Sequence, residues 1–245
     1  TVHFVVDFDQ PIKTMGVWTD AGVQESVTVL KTGKVADAGA FIEFDTREHP
    51  VVQVRTGLSY VSIENARKNL EKEIIGPFGW SFEAVRQHHL DTWNDLFRRV
   101  RITTHDRREK RRFYSNMYRA LCSRNIFSDV NGQWADASEQ IQTLTDPESV
   151  ALGCDAFWNT FWNINQVWAM AYPELTSGWV KFLIDMYEDG GLIPRGPSGH
   201  NYSFVMISAH STPFIVGAYM KGIRGFDVEK AYEGKADIVF IDVWE

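Results

Sequence analysis

Over the first sixty residues, apolar and β-branched side chains come in short, partly alternating runs. The runs 2–8 (VHFVVDF), 40–44 (AFIEF) and 51–55 (VVQVR) are separated by turn residues such as Pro11, Gly33 and Pro50, a spacing that predicts strands with no helix between them. Such a run reads as a sandwich sheet. After Gly57 the apolar period lengthens to that of a helix. Ser62 can cap a helix over residues 63–74, which Gly76 and Pro77 should break. A second helix is predicted over 82–100, with Phe82, Val85, Trp93, Leu96, Phe97 and Val100 on one buried face.

From Asp106 onward nearly every element reads as helix. Asp106 and Glu109 fit a capping box, and Phe113, Met117 and Leu121 stripe a helix to about Cys122. Further helices are predicted over 157–172, stopped before Pro173, and over 174–188, ending at Gly190 and Gly191. Another starts at Ser211, Thr212 and Pro213, and a short one capped by Asp227 reaches Tyr232. The tail, 238–244, turns strand-like. Between the helices, the loop 129–136 (DVNGQWAD) reads as a turn built by Asn131 and Gly132, because the spacing and terminal Glu of a calcium-binding EF-hand loop are absent. The Pro- and Gly-rich loop 192–202 has a largely preset backbone that can carry Arg195, His200 and Tyr202.

Composition narrows the classes of function. The 245 residues include 44% hydrophobic side chains, enough for a substantial core, and 25 basic against 32 acidic residues give a net charge of −7. That balance argues against nucleic acid or an anionic membrane as the main partner, and no apolar run reaches the roughly 18 residues of a membrane span. The basic cluster 107–112 reads as a solvated helix face. Adjacent His88 and His89 point in different directions on a helix, unlike a metal-binding pair one turn apart. Two cysteines, Cys122 and Cys154, make neither a disulfide framework nor a metal site.

The stretch 154–168 (CDAFWNTFWNINQVW) stands out. Trp158, Trp162, Trp168, Phe157 and Phe161 are interleaved with Asn159, Asn163, Asn165 and Gln166. Buried amides cost free energy unless partnered. Two readings fit: an aromatic core helix whose amides cap nearby loops, or a surface offering flat apolar faces beside fixed donors and acceptors, which suits a pyranose ring.

Several stretches, in order, resemble glycoside hydrolase family 92, the calcium-dependent exo-acting α-mannosidases. They are 59–73 (SYVSIENARKNLEKE), 113–119 (FYSNMYR), 127–132 (FSDVNG), 157–161 at the place of a Trp-Asp-Thr motif, and 206–227, which carries Lys-Gly-Ile and Phe-Asp. Asn159 stands where that motif has Asp, Trp162 where an Arg is common, and Ala209 where an Asp often precedes His210. The resemblance implies an α+β multidomain chain: the end of an N-terminal β-sandwich, then the first part of an (α/α)6 helical barrel. The expected division is 1–74 for the sandwich portion, 75–105 for connecting helices and 106–245 for the partial catalytic domain. It implies inverting hydrolysis of terminal α-mannosides in mannose-containing glycans, a calcium ion, and a periplasmic or secreted location.

Family members are much longer, so the general acid, the general base and most calcium contacts are expected outside this stretch. Within it, Asp155 and Asn159 are expected to bond sugar hydroxyls, Trp158 to present an apolar face, and Arg195 and His210 to contribute from the following loops. A non-catalytic carbohydrate-binding remnant and another helical-toroid sugar enzyme are the alternatives.

Overall fold

The computed structural model describes residues 1–33, 37–122, 125–146, 149–153, 157–194, 196–198, 201–202 and 209–241. Five strands open the chain: β1 (His3–Phe8), β2 (Thr14–Thr19), β3 (Gly22–Glu25), β4 (Ala38–Glu43) and β5 (Val54–Ser59). β1 pairs antiparallel with β5, from His3 opposite Ser59 to Phe8 opposite Val54, and β2 lies between β3 and β4 in a second antiparallel sheet. Alternation decides which face is covered. Val5 is buried under α1 (Ile63–Leu70), where it meets Ala66 and Leu70, while Phe4 and Leu58 remain exposed on the other face. α1 lies so close to β5 that a methyl group at Gly57 would run into the Ala66 carbonyl and Leu70.

α1 does not stop at Gly76 and Pro77, as the sequence suggests. A π turn over Glu71–Ile75 leads into α2 (Gly76–Phe78), and the chain breaks only at Gly79, whose φ is +55°. The wider turn carries the Gly76 N–H back to the Glu71 carbonyl, and Pro77, in the first turn of α2, has no helical N–H to lose. α3 (Phe82–Arg98) follows, with none of its residues fully buried and Phe82 exposed. The buried face expected of it is half-covered, by Leu96, Phe97 and Val100 against the main core.

α4 (Arg107–Leu121) is capped by the Asp106 carboxylate, which accepts from the Arg108 and Glu109 amides. Four short strands come next: β6 (Asn125–Ile126), β7 (Gln133–Ala135), β8 (Ile141–Thr143) and β9 (Leu152–Gly153), pairing β6 with β9 and β7 with β8. The single helix expected over 157–172 is instead a turn, a 3-10 turn (Thr160–Trp162) and α5 (Ile164–Ala171). Asn163 is the break: its φ of −149° and ψ of −39° leave the helical region, in keeping with the weak helix preference of Asn.

α6 (Pro173–Gly190) follows at once and folds back along α5, placing the Trp168 and Trp179 rings 4.5 Å apart. Gly191, left-handed at φ +73°, ends it. A small hairpin of β10 (Pro197–Ser198) and β11 (Asn201–Tyr202) precedes α7 (Ser211–Met220) and α8 (Val228–Ile241). α8 corrects two expectations, since it passes Tyr232 and stays helical through Ile241 where a strand-like tail was predicted. β-branched Ile238 and Val239 lower helix preference only slightly, and Asp227 accepts from the Lys230 amide at its start.

α6 is the central element of the helical part. Trp179, Val180 and Leu183 face a core with Met117, Trp168, Tyr172, Phe214 and Phe226, whereas Phe182 and Met186 face a second core with Phe127, Trp134 and Leu144. Two polar tips in the first of these cores bind backbone carbonyls. The Trp168 indole donates to the Ala120 carbonyl at 2.9 Å and the Tyr172 hydroxyl to the Leu96 carbonyl at 3.0 Å, tying α5 and α6 back to α4 and α3.

Candidate functional site

The turn at 157–159 sits on the first turn of α7. Phe157 is buried and stacks on Phe214, with ring centres 5.0 Å apart and planes 20° from parallel. With that ring as anchor, Trp158 is half-buried, its ring 6.5 Å from His210 in an edge-on arrangement, and Asn159 is exposed. Thr160 is buried and its hydroxyl donates to the Phe157 carbonyl at 3.1 Å, which closes the turn. Phe161, Trp162 and Asn163 then face outward. Trp158, Asn159 and His210 therefore share one end of the helical hairpins, while Asp155 and Arg195, the other two expected site residues, lie outside the described residues.

Two further polar side chains belong to this end. Asn165, on the first turn of α5, is buried, and among the described residues neither its amide oxygen nor its nitrogen has a hydrogen-bond partner; the fully buried Ser211 hydroxyl, on the first turn of α7, is in the same condition. α5 and α7 pack together. Native interiors leave few such groups, so this end of the hairpins carries unused hydrogen-bonding capacity. Asn165 was visible in the sequence as one of four clustered amides, whereas Ser211 had no signal beyond its place at a helix start.

A second polar assembly joins the strands to the helices. Asp129, 95% covered, accepts from the Ser59 hydroxyl at 2.8 Å, from the Asn65 amide at 2.8 Å and from the Asn69 amide at 2.7 Å. Asn69 also donates to the Leu58 carbonyl and accepts from the Val130 amide, and Gln133 accepts from Asn65 and Asn131. Gly132, at φ +79°, closes the turn by donating to the Asp129 carbonyl. The loop 129–136 is thus the turn its sequence predicts, and its first carboxylate fastens β5, α1 and the helical part together. Sequence alone did not single out Asn65 and Asn69.

Calcium needs several oxygen ligands converging on one point. Among the described residues no three of Asp, Glu, His and Cys are grouped so as to hold a metal ion, and Asp129 already spends both oxygens on amides and a hydroxyl. The described residues do not build the implied calcium site.

Cavities also lie elsewhere, and two of them bear on chemistry. One, about 420 Å³, is apolar and lies between α7 and α8, lined by Ile215, Tyr219, Phe226 and Tyr232. The other, about 330 Å³, is lined by Asp146, Lys181, Asp185, Glu188, Arg224 and Lys230. There burial, reinforced by the carboxylates of Asp189, Glu188 and Asp146, pushes Asp185 up to about 6. A raised carboxyl is what a general acid needs. Here, however, Lys181 bonds Asp146 at 2.7 Å and Lys230 pairs with Glu188, so the group reads as a charge cluster bracing α6 against α8.

Comparison with known proteins accounts for this arrangement. Residues 65–237 match the Glycosyl hydrolase family 92 catalytic domain, and residues 1–59 match the Glycosyl hydrolase family 92 N-terminal domain. The chain belongs to glycosyl hydrolase family 92. Its fold follows the family GH92 inverting mannosidase of Bacteroides thetaiotaomicron VPI-5482 at 23% identity, with a TM-score of 0.81 over 95% of this chain and 31% of that one. A family GH92 α-mannosidase from Bacteroides thetaiotaomicron superposes with the same TM-score of 0.81 at 22% identity, again over 95% and 31%. A protein of Arthroderma benhamiae described as an uncharacterized secreted glycosidase is 30% identical over 101 residues, 40% of this chain and 13% of that protein. The chain thus spans about a third or less of the length of these relatives. An N-terminal β-rich region followed by helical hairpins is the arrangement the resemblance implied. No helix among the described residues is long and apolar enough to cross a membrane.

Proposed function

We propose that this chain supplies the end of the sandwich and the first hairpins of a glycosidase that removes terminal α-mannosyl residues with inversion. The observation that carries the reading is the match of residues 65–237 to the family's catalytic domain. The outward placement of Asn159 beside half-buried Trp158 supports it. Trp158 would lie against the apolar face of the sugar ring, held in place by His210, and Asn159 would bond its hydroxyls. Asp155 and Arg195 are proposed to complete the contacts.

An inverting glycosidase sets two carboxyl groups about 6.5–9.5 Å apart, one to protonate the leaving oxygen and one to activate water. No described carboxylate is assigned to either role, so both are proposed to come from other parts of the enzyme, together with the calcium ligands. The division of the chain at residues 74 and 105 and a secreted location belong to the same proposal. The second reading, a carbohydrate-binding remnant without activity, draws on Asn159 standing in place of the motif's Asp.

The test is to give the protein, as encoded in full, an aryl α-mannoside and α-linked mannobioses, and to follow the first-formed product by proton NMR. β-Mannose appearing before mutarotation supports the proposal. Absence of hydrolysis with and without added calcium, alongside measurable mannose binding, would favour the remnant.

A further inference from the structure

Trp162 is 77% exposed, more than any other large apolar side chain among the described residues. Tryptophan is on average one of the better-covered side chains, so an indole that no described residue covers calls for a partner. It is not on a loose loop. The 3-10 turn that carries it is pinned by the Phe157–Phe214 stack and by the Thr160 hydroxyl on the Phe157 carbonyl. Phe161, itself 43% exposed, lies edge-on to the indole at 5.8 Å and backs it. On either side, Asn159 and Asn163 are exposed, and their side-chain amides make no hydrogen bond with the described residues. The surface therefore offers a flat apolar face with free donors and acceptors at its rim, four residues along the chain from Trp158.

The two indoles sit at different depths: Trp158 is half-buried against His210, whereas Trp162 stands outside it. We propose that Trp162, backed by Phe161 and flanked by Asn159 and Asn163, is the stacking platform for the sugar on the leaving-group side of the scissile bond, with Trp158 serving the terminal sugar. The assignment rests on the glycosidase reading above. A pyranose presents C–H faces to an indole and hydroxyls to the amides around it, and one such ring contact is worth about a tenfold change in affinity. Trp162 would thereby make the enzyme prefer a second sugar over a simple alcohol as leaving group.

The experiment is calorimetry on the protein as encoded in full, titrated with mannose and with a mannobiose whose bridging oxygen is replaced by sulfur so that it is not cleaved. Trp162→Ala should weaken the thiodisaccharide about tenfold and leave mannose within twofold, while Trp162→Phe, which keeps a ring, should stay within threefold of wild type for both. Equal losses for the two ligands, or unchanged disaccharide binding in a folded Trp162→Ala protein, would overturn the assignment and identify Trp162 as a packing residue. If Trp162→Ala fails to fold, Trp162→Leu takes its place: a selective loss of the thiodisaccharide supports the platform, and equal losses for the two ligands or unchanged disaccharide binding in the folded protein overturn it. Wild-type protein that binds neither ligand would instead overturn the glycosidase reading itself.

Discussion

The Asn69 side-chain amide donates to the Asp129 carboxylate at 2.7 Å across 60 residues of chain, and the same amide donates to the Leu58 carbonyl at the end of β5. One side chain thereby joins a strand, the connecting helix α1 and the first loop of the helical part. Removing the acceptor should be costly, because the Ser59, Asn65 and Asn69 donors would be left buried without it. Asp129→Ala is expected to lose about 3–5 kcal/mol of stability in urea unfolding. Asn65→Ala, which removes one donor and leaves the other two, should lose less. Wild-type stability in Asp129→Ala would mean that water replaces the carboxylate at no cost.

The close approach of α1 to β5 gives a second expectation. A methyl group at Gly57 meets the Ala66 carbonyl and Leu70, both backed by well-packed structure. Gly57→Ala should therefore destabilise by about 1–3 kcal/mol, the usual cost of overpacking, read as a fall in the urea midpoint at unchanged slope. A variant as stable as wild type would show that α1 can slide along the sheet.

Asp185 makes stability depend on pH. Its folded value of about 6 lies above the ordinary 3.8, so the folded chain holds this proton more tightly than the unfolded chain does. The contribution is fully present below about pH 4 and is lost as pH rises through 6. Asp185→Asn should remove that loss, leaving the variant more stable than wild type at pH 7 by roughly 1 kcal/mol, once screening at a half-exposed group is allowed for, and no more stable at pH 4. Thermal melts at the two pH values check this; a variant less stable at pH 7 would mean that the Lys230 side outweighs the carboxylates.

Trp168 is the structural counterpart of the exposed indoles. It is fully buried, and its N–H reaches the Ala120 carbonyl. Trp168→Phe keeps most of the ring packing but leaves that carbonyl unpaired, so a loss of about 2 kcal/mol is expected. Any sugar affinity should survive in the fraction that stays folded. A selective loss of sugar binding at full stability would place Trp168 in the site rather than behind it.

The sequence revealed the order of parts better than their edges. Helix periodicity located α3, α4 and α6 because each keeps an apolar stripe, whereas α7, apolar all round, was located by the Ser-Thr-Pro signal at its start. The strands β2 and β3 were missed because Gly16, Gly22 and exposed polar residues dilute their alternation. The amide-rich stretch was read as one helix because Phe157, Phe161 and Trp168 fit helical spacing, yet the backbone at Asn163 leaves that geometry, and the break is what turns Asn159 and Trp162 outward. Asn65 and Asn69 carried no sign of their role, since a buried amide is recognised only through a partner that lies 60 residues away.

The most direct measurement is mannose binding by Trp158→Ala and Asn159→Ala in the protein as encoded in full, alongside their unfolding curves. Each variant should lose tenfold or more in mannose affinity while unfolding within about 1 kcal/mol of wild type, as expected for groups at a surface site. Undiminished mannose affinity in both variants would contradict it, because the indole and the amide would then be facing something other than a sugar.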